Sequence, residues 1–181
     1  MISMGSDYTR AMPMSEYMRR LRAAFGPGLV SIPSVSMLLF DEAGRVLLAR
    51  HAETGRWVIP GGSVEPLELP ADAAVRETWE ETGLHVAPIR LVGVYGGPAF
   101  KVTYRNQDEV AYLSTIFEGR ILGGRLRHDG IETLEVRWVA PAELARLDVP
   151  AWVRLVLDDV GADRARAHFQ PPTWTPTDGV P

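Results

Sequence analysis

Apolar and polar positions follow two rhythms along this chain. Runs rich in β-branched and aliphatic residues at 34–40 (SVSMLLF), 84–95, 110–118 and 134–139 (LEVRWV) predict strands. An Asp41–Gly44 turn leads into a further strand through Arg45–Arg50, which predicts a hairpin. A three-and-four rhythm governs residues 15–25, where Tyr17, Met18, Leu21 and Phe25 share a face behind Ser15 as N-cap. Gly26, Pro27 and Gly28 end that helix. Residues 70–82 are the clearest helix. Pro141 opens a short one to Leu147, and residues 150–160 open another that extends as far as Phe169. Residues 51–61 are expected as a loop around Trp57, Val58 and Ile59, ending at Pro60-Gly61-Gly62. Strands interspersed with helices predict an α+β fold, a mixed sheet sandwiched between helices. One domain is expected over 15–169, between a flexible N-terminus (1–14) and a disordered, proline-rich tail (170–181).

Composition narrows the function classes. The chain of 181 residues is long enough to bury one real core. A net charge of -4 argues against an extended nucleic-acid partner, though not against a single bound nucleotide. The absence of cysteine limits any metal site to oxygen and imidazole donors. His51, His85, His128 and His168 are scattered with no ligand spacing. No stretch approaches the roughly 20 apolar residues of a membrane span, and no secretory pattern opens the chain. No membrane partner and a cytoplasmic location are therefore expected.

The chemistry concentrates at residues 62–84, GSVEPLELPADAAVRETWEETGL. On the helix, Ala71, Ala74, Val75, Thr78 and Thr82 form the expected core face. Glu77, Glu80 and Glu81 gather on another side at i, i+3 and i+4. Like charges at those spacings cost about 0.2–0.5 kcal/mol per pair. Two of them also crowd the negative end of the helix dipole. An isolated ExxEE is more often a solvated helix face than a metal site. A divalent cation with oxygen ligands would reverse the balance by holding several carboxylates ionised together.

The whole segment resembles the signature of the Nudix hydrolase superfamily. Gly62, Glu68, Arg76, Glu77, Glu80, Glu81 and Gly83, followed by apolar Leu84, match its seven fixed positions at the right spacing. A chance match is below roughly one in a million at ordinary residue frequencies. Thr78 departs from the bulky aliphatic residue usual at its position. The resemblance implies a Nudix fold and Mg²⁺- or Mn²⁺-dependent hydrolysis of a diphosphate linkage. The substrate it implies is a small nucleoside diphosphate joined to another moiety, such as ADP-ribose or a nucleotide sugar. It also implies that Glu80, Glu81, Glu77, Glu68 and the Gly61 carbonyl hold metal, while Arg76 orients the glutamates. The general base is expected to be Glu77 or a later residue such as Glu132. Glu118 is a candidate extra ligand, and Trp57, Tyr95 and Arg105 are candidate substrate contacts. Alternatives are a nucleotide sensor without turnover, or a hydrolase of nucleoside triphosphates, dinucleoside polyphosphates or RNA 5′ ends. An isopentenyl-diphosphate isomerase-like activity is disfavoured because that chemistry generally needs a cysteine. The N-terminal helix is a candidate homodimer contact.

Overall fold

Residues 15–175 are described by a computed structural model; the expected flexible N-terminus and the last part of the expected tail lie outside them. Ser15 caps helix α1 (Glu16–Phe25) by accepting the Met18 N–H at 3.2 Å. None of its residues is buried. Arg22 anchors it instead, donating from Nη1 to the carbonyls of Gly26 (3.1 Å) and Gly28 (2.7 Å) and from Nη2 to that of Glu109 (2.8 Å).

Strand β1 (Val30–Leu38) is buried on both faces along its second half, with Val35, Met37 and Leu38 almost fully enclosed. Such a strand belongs inside a sheet. It lies between β4 (Gly61–Ser63), antiparallel, and β7 (Glu109–Gly124), parallel. Strand β5 (Leu84–Tyr95) adds to β7 antiparallel, and β9 (His168–Phe169) adds to β5 parallel. The short β6 (Lys101–Thr103) pairs with the start of β7. The result is a mixed six-stranded sheet. A second, antiparallel sheet joins β3 (Trp57–Val58), β2 (Val46–His51) and β8 (Thr133–Val139).

This partition corrects the expected hairpin. The pairing is confined to the turn, where a Phe40–Val46 bridge is flanked by an Asp41 N–H to Arg45 carbonyl bond and a Leu47 N–H to Leu39 carbonyl bond, both 3.0 Å. Both edges of β1 are already occupied, so β2 turns away into the other sheet.

Helix α2 (Pro70–Thr82) covers one face of the large sheet, where Ala73 and Ala74 pack with Val35, Met37, Leu39 and Val86. Helix α4 (Ala151–Ala162) covers the other through Val153, Val156 and Val160, packed with Leu38, Val92, Tyr95 and Ile116. The sheet is thus sandwiched between helices. A single turn, α3 (Pro141–Leu144), precedes α4. The last helix stops at Ala162 rather than reaching Phe169, because His168 and Phe169 pair with Gly93 and Val94 as an edge strand. A side chain on Gly93 would lie 2.5 Å from the His168 carbonyl, so glycine there permits the pairing. Among the described residues no helix is long and apolar enough to cross a membrane.

Candidate active site

Helix α2 is turned so that Glu77 and Glu81 lie on its buried side beside Ala73, Ala74, Thr78 and Thr82. Ala71 and Val75, expected in the core, are only half-buried. Thr78 suits its buried place because its hydroxyl donates to the Ala74 carbonyl at 2.7 Å. Gly83 ends the helix in a left-handed conformation, φ 67°.

Two glycines let strand β4 approach the glutamates. Gly61 has φ 155°, and a Cβ there would sit 2.1 Å from the Val35 carbonyl. A Cβ on Gly62 would lie 2.5 Å from the Glu77 carboxyl. The Gly61 N–H donates to Glu81 Oε2 at 2.9 Å.

Arg76 gathers the acids around one guanidinium. It forks onto Glu68 through Nε (2.8 Å) and Nη2 (2.9 Å). Its Nη1 donates to Glu77 at 2.8 Å and to Glu80 at 3.1 Å, and Nη2 also reaches the Ser63 carbonyl at 3.2 Å. Leu67, just before Glu68, is fully exposed and left-handed at φ 69°.

Across from the helix stands the loop before β8. Asp129 Oδ1 accepts the N–H groups of Ile131 (3.0 Å), Glu132 (3.2 Å) and Thr133 (2.9 Å), which fixes how Glu132 is presented. Asp129 was not singled out by the sequence reading. Its signal is the Asp129-Gly130 pair, a turn former whose carboxylate bonds the backbone ahead of it.

Burial drives the electrostatics. Glu81 is held well above the usual carboxylate range by burial, against the pull of the Gly61 N–H, and neighbouring Glu77, Glu132 and Asp129 raise it further. Burial also raises Glu77, with Arg76 opposing. Glu132 is pushed up to about 7 by burial and then by Glu77, Asp129 and Glu80. Hydrogen bonding from Arg76 lowers Glu68. The site therefore holds more negative groups than the Arg76 guanidinium and the amides of Gly61 and Glu65 can satisfy. Among the described residues no three acidic or imidazole side chains already surround a common point. Glu68, Glu77 and Glu80 are drawn to Arg76, and Glu81 to Gly61. The donor set is still all oxygen, and Glu81 is 5% exposed with a single backbone donor, which fits a hard divalent cation.

Other candidates lie elsewhere. Trp57 and Tyr95 are not open stacking platforms, which corrects that expectation. Trp57 is 8% exposed, sits in the core, and is covered by Arg137 at 4.7 Å. Tyr95 is 1% exposed, stacks on Phe100, and donates its hydroxyl to Asp159. Glu118 is corrected as an extra ligand too. Its carboxylate is buried beneath Arg90 and Arg164, which outweigh burial and hold it below the usual range. Arg105 is exposed, and its N–H donates to Glu53 at 2.9 Å.

Comparison with known proteins gives the chain's family. The NUDIX domain family matches residues 30–160. A Bacillus subtilis (strain 168) protein named "Putative 8-oxo-dGTP diphosphatase" is 37% identical over 122 residues, 67% of this chain and 75% of that protein. A MutT-like protein of Streptomyces ambofaciens is 32% identical over 154 residues, 84% of this chain and 92% of that one. Among solved structures, the MutT protein from Methanosarcina mazei Go1 superposes with a TM-score of 0.61 at 26% identity, covering 75% of this chain and 96% of its own. The signature at 62–84, the α/β/α sandwich that presents it and these matches together make the chain a member of the NUDIX family of hydrolases.

Proposed function

We propose that this chain hydrolyses a diphosphate linkage in a small nucleotide with the help of Mg²⁺ or Mn²⁺. The observation that carries this is the set of buried, under-compensated carboxylates on α2 facing Glu132. Glu81, Glu80 and Glu77, with Glu68 and the Gly61 carbonyl, would hold the cation. Bound there, it would neutralise the diphosphate and acidify a water. Arg76 keeps Glu68, Glu77 and Glu80 within reach of one another. Glu132 is our candidate for the base that accepts the water's proton, because Asp129 fixes its loop and its affinity for a proton is poised near neutral pH. Glu77 is the other candidate for that step.

For the substrate, our first reading is a nucleoside diphosphate bearing a second moiety, ADP-ribose or a nucleotide sugar. A nucleoside triphosphate is the second reading, favoured by the printed name of the Bacillus subtilis relative. Arg105, exposed beside Glu53, is a candidate contact for the anionic end; Arg105→Ala should raise KM severalfold with little change in kcat, and an unchanged KM would remove it. The deciding experiment is a phosphate-release screen over both substrate classes with Mg²⁺, Mn²⁺ or EDTA. Turnover with metal that vanishes in EDTA supports the proposal. Nucleotide binding without turnover under either metal would make the protein a sensor instead.

A further inference from the structure

Glu132 owes its place to bonds on both sides of its own backbone. Its N–H donates to Asp129 Oδ1 at 3.2 Å, within its own loop. Its carbonyl accepts the Ala52 N–H at 2.8 Å, from the turn between β2 and β3. Regular strand pairing does not dictate the second bond. The β2–β8 ladder shifts register between Arg50 and His51, so that Arg50 faces Glu135 while His51 faces Thr133. Irregularities of this kind re-aim the residues beside them, and Glu132 is the next residue along. Whatever holds the 51–56 turn therefore also holds Glu132.

The neighbour of Ala52 supplies that hold. Glu53 is half-buried, and its Oε1 accepts the backbone N–H of Arg105 at 2.9 Å. An amide bonded to a carboxylate is held more firmly than one bonded to a neutral oxygen. Arg105 sits in the turn between β6 and β7, which is closely bonded within itself. The Tyr104 N–H donates to the Asp108 carbonyl and the Gln107 N–H to the Tyr104 carbonyl, both at 2.9 Å. The Tyr104 and Tyr112 hydroxyls bond to each other. The base of this turn is gripped from α1. Arg22 Nε lies 3.3 Å from Asp108 Oδ2, with the two side chains only 9% and 13% exposed. Arg22 Nη2 holds the Glu109 carbonyl, and the Glu109 N–H donates to the Pro27 carbonyl at 2.9 Å. A continuous path of polar contacts thus runs from α1, through the β6–β7 turn and Glu53, to the carbonyl of Glu132.

We infer that Glu53 is a positioning residue for Glu132, and that α1 serves hydrolysis by holding, through Arg22, the β6–β7 turn on which Glu53 is anchored. The inference rests on the proposed role of Glu132 as the base and adds what fixes that base in place. Glu53 acts through the bond between the Ala52 N–H and the Glu132 carbonyl and touches no reacting atom. The carboxylates of α2 have their own partners in Arg76 and Gly61, so loss of Glu53 leaves their arrangement intact.

Steady-state kinetics of the full chain with Mg²⁺, on ADP-ribose and on GTP, test it together with amide exchange. For Glu53→Ala, kcat on the substrate turned over should fall about tenfold while KM stays within about twofold, because a misplaced base slows the chemical step and leaves binding alone. Exchange at the Ala52 and Arg105 amides should quicken in that variant, while protection across β1 and β7 stays, which separates loosening of the turn from unfolding. Glu53→Gln keeps an acceptor oxygen and should restore most of kcat. Arg22→Ala should lower kcat severalfold, and Arg22→Ala/Glu53→Ala should lose no more than Glu53→Ala alone, since both changes break one path. An unchanged kcat in Glu53→Ala, a Glu53→Gln enzyme as slow as Glu53→Ala, or losses that multiply in the double variant would overturn the positioning role and leave the hydrolase reading standing. Wild type inactive on both substrates, with Mg²⁺ and with Mn²⁺, is instead the failure of the hydrolase reading, and the positioning role falls with it.

Discussion

Arg76 is the residue on which the signature segment turns. One planar guanidinium bonds Glu68, Glu77, Glu80 and the Ser63 carbonyl, a geometry that a lysine ammonium cannot copy. Glu81 lies outside that clasp, buried with a single amide donor. Its charge is a cost to the fold in the absence of a cation. Glu81→Gln should therefore leave the Tm in EDTA unchanged or raise it by a few degrees, while hydrolysis with Mg²⁺ falls by at least about a hundredfold. A lower Tm with activity retained would make Glu81 structural. The same acids give a pH signature. Glu77, Glu81 and Glu132 bind protons more tightly in the folded chain than the ordinary value of 4.5. Folding then takes up protons, so their contribution is fully present below about pH 4.5 and is lost as pH climbs through about 7, where Glu132 titrates. In EDTA the Tm contribution from this cluster should fall across that window. Mg²⁺ should restore it, and more strongly at the alkaline end, where protons no longer compete. A Tm in EDTA that rises steadily from pH 5 to 7.5 would contradict this.

Among the elements, strand β4 shows how two adjacent glycines can do different jobs. A Cβ on Gly61 meets backbone, the Val35 carbonyl at 2.1 Å, and the residue also has positive φ. Gly61→Ala should destabilise by about 2 kcal/mol or more, seen as a lower urea midpoint. The nearest atoms to a Cβ on Gly62 belong to a side chain, the Glu77 carboxyl at 2.5 Å. Gly62→Ala should keep the fold and lose activity as that carboxyl is displaced. Equal effects of the two on stability would sink the distinction. The signature segment was legible in the sequence because its spacing is fixed by one helix and the loop before it. The partition into two sheets was not. A run such as Ser34–Phe40 is compatible with a hairpin, and only the occupancy of both edges of β1 decides against it. The rotation of α2 was hidden for a related reason. Pattern reading puts glutamates outside, whereas here Arg76 and the Gly61 amide admit Glu77 and Glu81 to the buried side. Trp57 and Tyr95 were misjudged because an aromatic ring looks the same in sequence whether it lines a cleft or fills a core.

At the scale of the whole molecule, α1 is a satellite. It buries none of its own residues and hangs on Arg22. Arg22→Ala should release it without unfolding the sandwich. Amide exchange should lose protection over residues 16–26, while the Tm moves by only a few degrees. Cooperative loss of the entire fold would show that α1 belongs to the core.

Strands β1 and β7 run side by side in the same direction, yet the chain between them spans residues 39–108 and carries the entire signature segment. The signature glutamates are thus carried on a long crossover. Its closure must wait until the distant strand has been made and docked, a slow step for any chain of high contact order. On the ribosome, a nascent chain would remain chemically silent until its seventh strand and the Glu132 loop behind it had emerged, however early the glutamates of α2 were synthesised.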